Sequence, residues 1–299
     1  MIAKDVLSYS NIINIHDNGF ALTQIILKFL SPKSKIIWQI NDLPPYFRLG
    51  NLKDTRRTMF DAITRGLYKK CAKSASRITV NVTKNAERVK DHYDVDATVV
   101  YCGVDLRYSK LKPKLEKKNT IQLVSIGVFF PYRNYETFLK VVDYINQDLA
   151  IPCEGIIVGS TALAEDYART IQDKITINNI NCKILGNISE ERLNAICEES
   201  DAFLFLNKDQ SWGLAVFEAM NMGLPVFVSD SVGATELLTN KINAIIVNPD
   251  DHINISQSIV KYLNSPNRND LRENAFNHTL AMTWDNMYSS KIEVILHEL

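Results

Sequence analysis

Ten short runs rich in β-branched and aromatic residues recur along the chain: Ile12–Ile15, Ile36–Ile40, Ile78–Val82, Thr98–Tyr101, Ile121–Ile126, Gly155–Val158, Cys182–Leu185, Ala202–Leu206, Val226–Val228 and Ala244–Val247. Most are apolar throughout rather than alternating, the pattern of strands covered on both faces. Stretches with helical spacing, roughly 10–20 residues long, separate them. A strand–helix series of this kind predicts an α/β fold with parallel, doubly wound sheets joined by right-handed crossovers. From about Asp251 the pattern turns wholly helical, with helices expected near 251–264, 267–280 and 283–297.

At 299 residues the chain exceeds what one core usually serves, so two domains are expected. The polar, proline-containing stretch 106–119 reads as the linker. The expected division is 1–112, 113–280, and a C-terminal helix over 281–299 that packs back toward the first domain. Charge supports two dissimilar halves: residues 1–112 hold 19 Lys/Arg against 10 Asp/Glu, and residues 113–299 hold 15 against 24. The whole chain is neutral, which argues against a nucleic-acid binder. No apolar run approaches the ~18 residues of a membrane span, and the N-terminus lacks a signal-peptide layout, so a cytoplasmic protein is expected. The five cysteines, Cys71, Cys102, Cys153, Cys182 and Cys197, are scattered without a C-x-x-C pair and read as reduced, buried thiols.

The chemistry concentrates in Phe203–Leu238, FLFLNKDQSWGLAVFEAMNMGLPVFVSDSVGATELL. A buried strand gives way to a polar loop, and Gly213 opens a helix that Gly223 and Pro225 end. Strand, glycine turn and helix N-terminus present free N–H groups and a positive dipole end to an anion such as phosphate. Glu218 lies inside this helix, and a second glycine turn, Ser231–Gly233, is expected to open another helix carrying Glu236.

This stretch resembles the signature of the retaining, nucleotide-sugar-dependent glycosyltransferases of the GT-B fold, family four, also called glycosyl transferases group 1. The matching positions are Gln210, Trp212, Gly213, Leu214, Glu218, Ala219, Met220, Gly223, Pro225 and Val226. Upstream, LVSIGVFFPYRN over Leu123–Asn134, Gly186–Ile188 and YCGVD over Tyr101–Asp105 are similar to further motifs of that family. The resemblance implies two Rossmann-like domains and transfer of a hexosyl unit from a nucleotide diphosphate sugar to a glycan or lipid-linked acceptor. It implies that Gly213 and Leu214 hold the donor pyrophosphate beside Ser211 and Trp212. Glu218 would accept from the ribose hydroxyls and Ile188 would meet the base. Arg133, followed by Asn134, stands where the family has a phosphate-binding lysine, and Glu236 completes the donor set. Gln210 replaces a glutamate that contacts the donor sugar, and Val128 replaces an arginine. No metal and no cofactor beyond the donor are implied.

By the same resemblance the chain starts late, at a point where the first domain is already more than half complete. That domain is therefore expected to be incomplete, and a second polypeptide is a possible partner. Two alternatives stand beside the transferase: an accessory nucleotide-sugar-binding chain that works with a partner, and a nucleotide-sugar epimerase of the same architecture. On the acceptor side, His16, Asn41 and Asp42 follow apolar strands at the ends where open α/β sheets bind ligands. Asp94–Val95–Asp96 reads as a solvated turn rather than a metal-binding triplet. The segment Tyr46–Arg77 carries nine basic and two acidic residues, so an anionic membrane surface is a further candidate partner.

Overall fold

The computed structural model describes residues 11–17, 23–41, 55–112 and 119–299, with backbone alone over 55–62 and at 64. The chain divides into two compact units: residues 1–103 with Asp285–Leu299, and Val104–Trp284.

In the first unit, β1 (Ile12–His16), β2 (Lys35–Ile40), β3 (Arg77–Val80) and β4 (Thr98–Val99) form one parallel sheet in sequential order. Helices α1 (Thr23–Leu30), α2 (Thr55–Ser74) and α3 (Thr83–Tyr93) alternate with them. Strand β2 is buried from Ile36 to Ile40, and Trp38 at its centre stacks with Tyr68 and Tyr93. The C-terminal segment, a π-helical turn (Asp285–Ser289) running into α10 (Ser290–Glu298), belongs to this unit, and Arg77 pairs with Glu298 at 2.9 Å. Asp94 and Asp96 pair with Lys73 and Lys90, as a solvated turn would.

The second unit holds a six-stranded parallel sheet of β5 (Ile121–Ile126), β6 (Cys153–Val158), β7 (Cys182–Ile184), β8 (Ala202–Phe205), β9 (Val226–Ser229) and β10 (Ile245–Val247). Their spatial order is β10-β9-β8-β5-β6-β7. Both faces are covered, by α4 (Tyr135–Gln147), α5 (Glu165–Ile177), α6 (Glu190–Glu199), α7 (Leu214–Asn221), α8 (His252–Leu263) and α9 (Arg268–Leu280). This explains why β8, AFLF, has no polar position: all four residues are buried. All ten strands lie where the sequence pattern puts them.

Two features differ from the sequence reading. Residues 105–112 are fastened to the second unit rather than running free. The Asn221 side chain accepts from the amides of Arg107 and Tyr108 at 2.7 and 2.9 Å and donates to the Tyr108 carbonyl. Arg107 also reaches Glu190 and Asn194. The unit boundary therefore falls at Gly103/Val104 and not after residue 112. The second difference is the turn after β9. Gly233–Leu237 is a 3₁₀ turn, not an α-helix. Its amides at Gly233 and Ala234 are taken by the carbonyls of Gln210 and Trp212, and the Asn243 side chain claims the Thr239 amide just beyond it. The bonds that follow, from the Thr235 amide to Val232 and from the Leu238 amide to Thr235, have the tighter i−3 spacing, and the Thr239 amide does not continue them.

Candidate functional site

The strand order of the second unit reverses between β5 and β8: the chain winds outward through β6 and β7, returns to β8, and winds the other way. Open α/β sheets bind ligands at the carboxyl ends of the strands flanking such a reversal, because the two following loops diverge there. Here those loops are 127–134 and 206–213.

The first loop begins with Gly127. A Cβ at Gly127 would lie 2.7 Å from Cζ of Arg133, so only glycine lets the guanidinium rest against the backbone. A Cβ at Gly159, at the end of β6, would lie 1.9 Å from the Gly127 carbonyl oxygen, so these two strand ends also touch backbone to backbone. The loop closes through a 3₁₀ turn, Pro131–Arg133, with Asn134 in the left-handed region at φ 56. Asparagine tolerates that conformation better than most residues. The Asn134 amide donates to the carbonyls of Leu206 and Pro249, and its oxygen accepts from Thr137. That side chain is committed within the fold, and what it gives the site is the placement of the two loops against each other.

Arg133 is different. Its Nε is buried without a hydrogen-bond partner, while Cζ lies 5.6 Å from the centroid of the Phe205 ring and 5.3 Å from that of Tyr132. Burying a guanidinium N–H without an acceptor is costly, and an anionic ligand would offset that cost.

The same Phe205 ring borders Gly213, whose Cβ would meet it at 3.1 Å and Val232 at 3.1 Å. Gly213 has φ 123 and caps α7. Among the described residues, the amides of Gly213 and Leu214 find no acceptor, as expected of a helix's first turn. Arg133 and Gly213, which caps α7, thus both lie against the Phe205 ring, and the α7 amides stand at the positive end of a dipole.

Glu218 is half-buried one turn further along α7, and no donor pairs with its carboxylate among the described residues. Burial pushes its pKa up; Arg107 opposes the rise, while Asp105 and Glu190 add to it. In the loop, Gln210 accepts from the Asn207 amide at 2.7 Å. Ser231 ties this loop to the next, donating to the Asn207 carbonyl and accepting from the Asp209 amide. Ser211 and Trp212 are buried, and Trp212 packs on Phe217 with ring centroids 5.2 Å apart. Leu214 is partly exposed, Ile188 is half-buried just before the cap of α6, and Glu236 is exposed on the 3₁₀ turn.

Two residues at this site carried no signal in the sequence. Tyr135 donates its hydroxyl to the Gly127 carbonyl at 2.7 Å and packs on Phe129. Lys208 pairs with Asp250, and its amide donates to the Tyr132 carbonyl at 2.7 Å, joining the two loops. A tyrosine opening a helix and a lysine in a polar loop look ordinary until the strands place them.

The acceptor-side candidates lie in the first unit. His16 is exposed at the end of β1. Asn41 is bound on two sides: its amide donates to the Asp17 carboxylate at 3.0 Å, and its side-chain oxygen accepts from Gln39 at 3.0 Å. Asp42 lies outside the described residues, as do the structure of 42–54 and the side chains of Arg56 and Arg57 within the basic segment.

The fold has counterparts among known proteins. The fold aligns with Anabaena HepE in complex with UDP-glucose at a TM-score of 0.80 and 16% identity, covering 100% of this chain and 81% of that one. It aligns with sucrose-phosphate synthase from Thermosynechococcus elongatus at 0.78 and 16% identity, over 96% and 73% of the two chains. In sequence it is 27% identical over 219 residues to the O-antigen chain mannosyltransferase RfbU of Salmonella typhimurium, across 71% of this chain and 56% of that protein. It is 25% identical over 190 residues to the UDP-Gal:alpha-D-GlcNAc-diphosphoundecaprenol alpha-1,3-galactosyltransferase of Escherichia coli, across 60% and 48%. The chain thus spans about half the length of these curated relatives. The model of the family glycosyl transferases group 1 matches residues 108–278, which include both loops, the cap of α7 and Glu218. With more than half of its length in that match, the chain belongs to the glycosyl transferases group 1 family.

Proposed function

We propose that the chain transfers a hexosyl unit from a nucleotide diphosphate sugar to a glycan or lipid-linked acceptor, with retention of configuration. The observation that carries this reading is that the two loops flanking the strand-order reversal hold a buried, unsatisfied Arg133 Nε and the open amides of Gly213 and Leu214, with Arg133 and Gly213 both against Phe205. Together they make a site for the diphosphate whose charge grows as the glycosidic bond breaks. Glu218, as a carboxylate with no internal donor, accepts from the ribose hydroxyls. Gln210 meets the sugar, and Ile188 meets the base through its backbone. No side chain is assigned as a nucleophile; the departing phosphate oxygen takes the acceptor's proton. The donor is the only small molecule this scheme uses, because Arg133 and the α7 dipole meet the developing charge.

The relatives support the substrate classes. HepE is seen with UDP-glucose, and the Escherichia coli enzyme is named for a UDP-sugar donor and a diphosphoundecaprenol acceptor. Incubating the chain with UDP- and GDP-hexoses, alone and with undecaprenyl-diphosphate sugars, tests the reading. Transfer that requires the acceptor is expected. Conversion of donor alone to its epimer, or donor binding without turnover, would replace the reading by one of its two alternatives.

A further inference from the structure

Glu218 keeps acidic company. Asp105 lies in the stretch that enters the second unit and Glu190 opens α6, and both act on the Glu218 carboxyl in the same direction as its burial, against ionisation. Cys197 of α6 is a further titratable neighbour, and burial pushes its thiol up to about 12, so it is uncharged at neutral pH. The opposing charge comes from Arg107.

Arg107 is held from two sides. Asn221, one turn after Glu218 on α7, accepts from the Arg107 amide at 2.7 Å. The guanidinium reaches the other way, to α6, where Nη1 donates to Glu190 at 2.9 Å and to Asn194 at 2.8 Å. The Arg107 side chain is 21% exposed and that of Glu190 69%. An ion pair with so exposed a partner adds little to stability, so the fold alone gives this double anchoring no purpose. For Glu218 it does two things at once. It brings close a cation that does not deprotonate, and it occupies Glu190, whose charge would otherwise act unopposed.

We propose that Arg107 is a positioning residue of the donor site, fixed between α6 and α7 so that its charge keeps Glu218 a carboxylate ready for the ribose hydroxyls of a nucleotide. An ionised carboxylate only accepts, through both oxygens, and its hydrogen bonds are the stronger charge-assisted kind; a protonated carboxyl gives up part of that capacity. The inference deepens the donor half of the function proposed above and rests on the ribose role of Glu218.

Two measurements test it, on the wild type, Arg107→Gln, Arg107→Lys and the Arg107→Gln/Glu218→Gln pair. The bonds from Asn221 go to backbone amides, so the stretch stays anchored in every variant. The first measurement is the titration of the Glu218 carboxyl by carbon NMR in the chain without nucleotide, its signal identified by its loss in Glu218→Gln. In Arg107→Gln it should titrate about one pH unit higher than in the wild type, and Arg107→Lys should restore most of the difference. The second is UDP affinity by calorimetry between pH 5 and 8. The pH at which affinity falls should move up with the titration in Arg107→Gln, whereas adding Arg107→Gln to Glu218→Gln should change affinity less than twofold at any pH. Protonation of UDP itself is common to all four proteins and cancels between them. An unmoved Glu218 titration overturns the inference whatever UDP does. So does an equal loss of affinity with and without Glu218, for then Arg107 meets the nucleotide or serves the fold. If the titration moves but wild-type UDP affinity does not follow it, the ribose role itself falls, and the inference with it.

Discussion

The two units build the same kind of parallel sheet and treat its carboxyl edge in opposite ways. In the first unit the described strands follow one another in sequential order, and the groups at the ends of β1 and β2 satisfy each other. Asp17, held at φ 59, accepts from the Asn41 amide through its carboxylate and from the Trp38 indole through its carbonyl. Gln39 donates to Asn41 and accepts from Tyr288. In the second unit the order reverses between β5 and β8, and at that reversal a buried guanidinium N–H, two helix amides and a carboxylate have no partner among the described residues. Both edges are rich in polar groups, so the contrast is not one of composition. The two loops at the reversal of winding are tied together by Asn134 and by the Lys208 amide, while Arg133 Nε and the first amides of α7 keep no acceptor among the described residues.

Arg133→Ala should separate the two edges most sharply. Charge-assisted hydrogen bonds contribute about 1.5–3 kcal/mol each, so UDP affinity measured by calorimetry should fall at least tenfold. Thermal stability should hardly change, because the lost Nε–H had no partner. Marked destabilisation would mean that the guanidinium serves the fold, as Asn41 does.

Glu218→Gln comes next, with about 1–2 kcal/mol of donor affinity lost at neutral pH. Since burial raises the pKa of Glu218, its carboxylate is the disfavoured form in the folded chain. The group therefore favours folding while protonated, and that contribution is lost as pH rises from its unfolded pKa through its raised folded one. The glutamine variant should equal or exceed the wild type in stability at neutral pH, with the difference vanishing in acid. Wild-type UDP affinity should fall as pH drops through the raised pKa, while the variant's should not. A pH-independent wild type would remove the ribose role.

Tyr135→Phe removes only the hydrogen bond to the Gly127 carbonyl. A loss of about 1 kcal/mol in stability is expected, with a rise in donor KM and little change in kcat. Asn41→Ala is the counterpart in the first unit. It should cost a similar or smaller amount of stability, about 0.5–1.5 kcal/mol by denaturant unfolding, and leave UDP affinity as it was.

How far the sequence showed this contrast can be judged residue by residue. The strands were legible because a segment covered on both faces is mostly apolar: β8 is so throughout, while β5 and β9 depart from it only at Gln122, Ser125 and Ser229. Gly213 was legible because a glycine between a buried strand and a helix has few other uses. What Asn134 does was not legible: it stands next to Arg133 in a recognisable motif, yet its amide faces Leu206 and Pro249, residues distant in the chain. Nor was the 3₁₀ form of Gly233–Leu237, whose first two amides donate to the carbonyls of Gln210 and Trp212 in another loop. In α1 the pattern does not tell inward from outward apolar residues: Leu27 packs on the core, while Ile25, Ile26, Phe29 and Leu30 are exposed.

The bonds made by Asn221 reach further than anchoring. This residue ends α7, the helix whose other end carries Gly213, and it holds the amides of Arg107 and Tyr108, which lie in no helix or strand. Those two amides should therefore exchange with deuterated water as slowly as positions inside the sheet, and only when the C-terminal end of α7 loosens. A stretch that looks like exposed loop thus becomes a clock for α7. Saturating the chain with UDP should slow exchange at Arg107 and Tyr108.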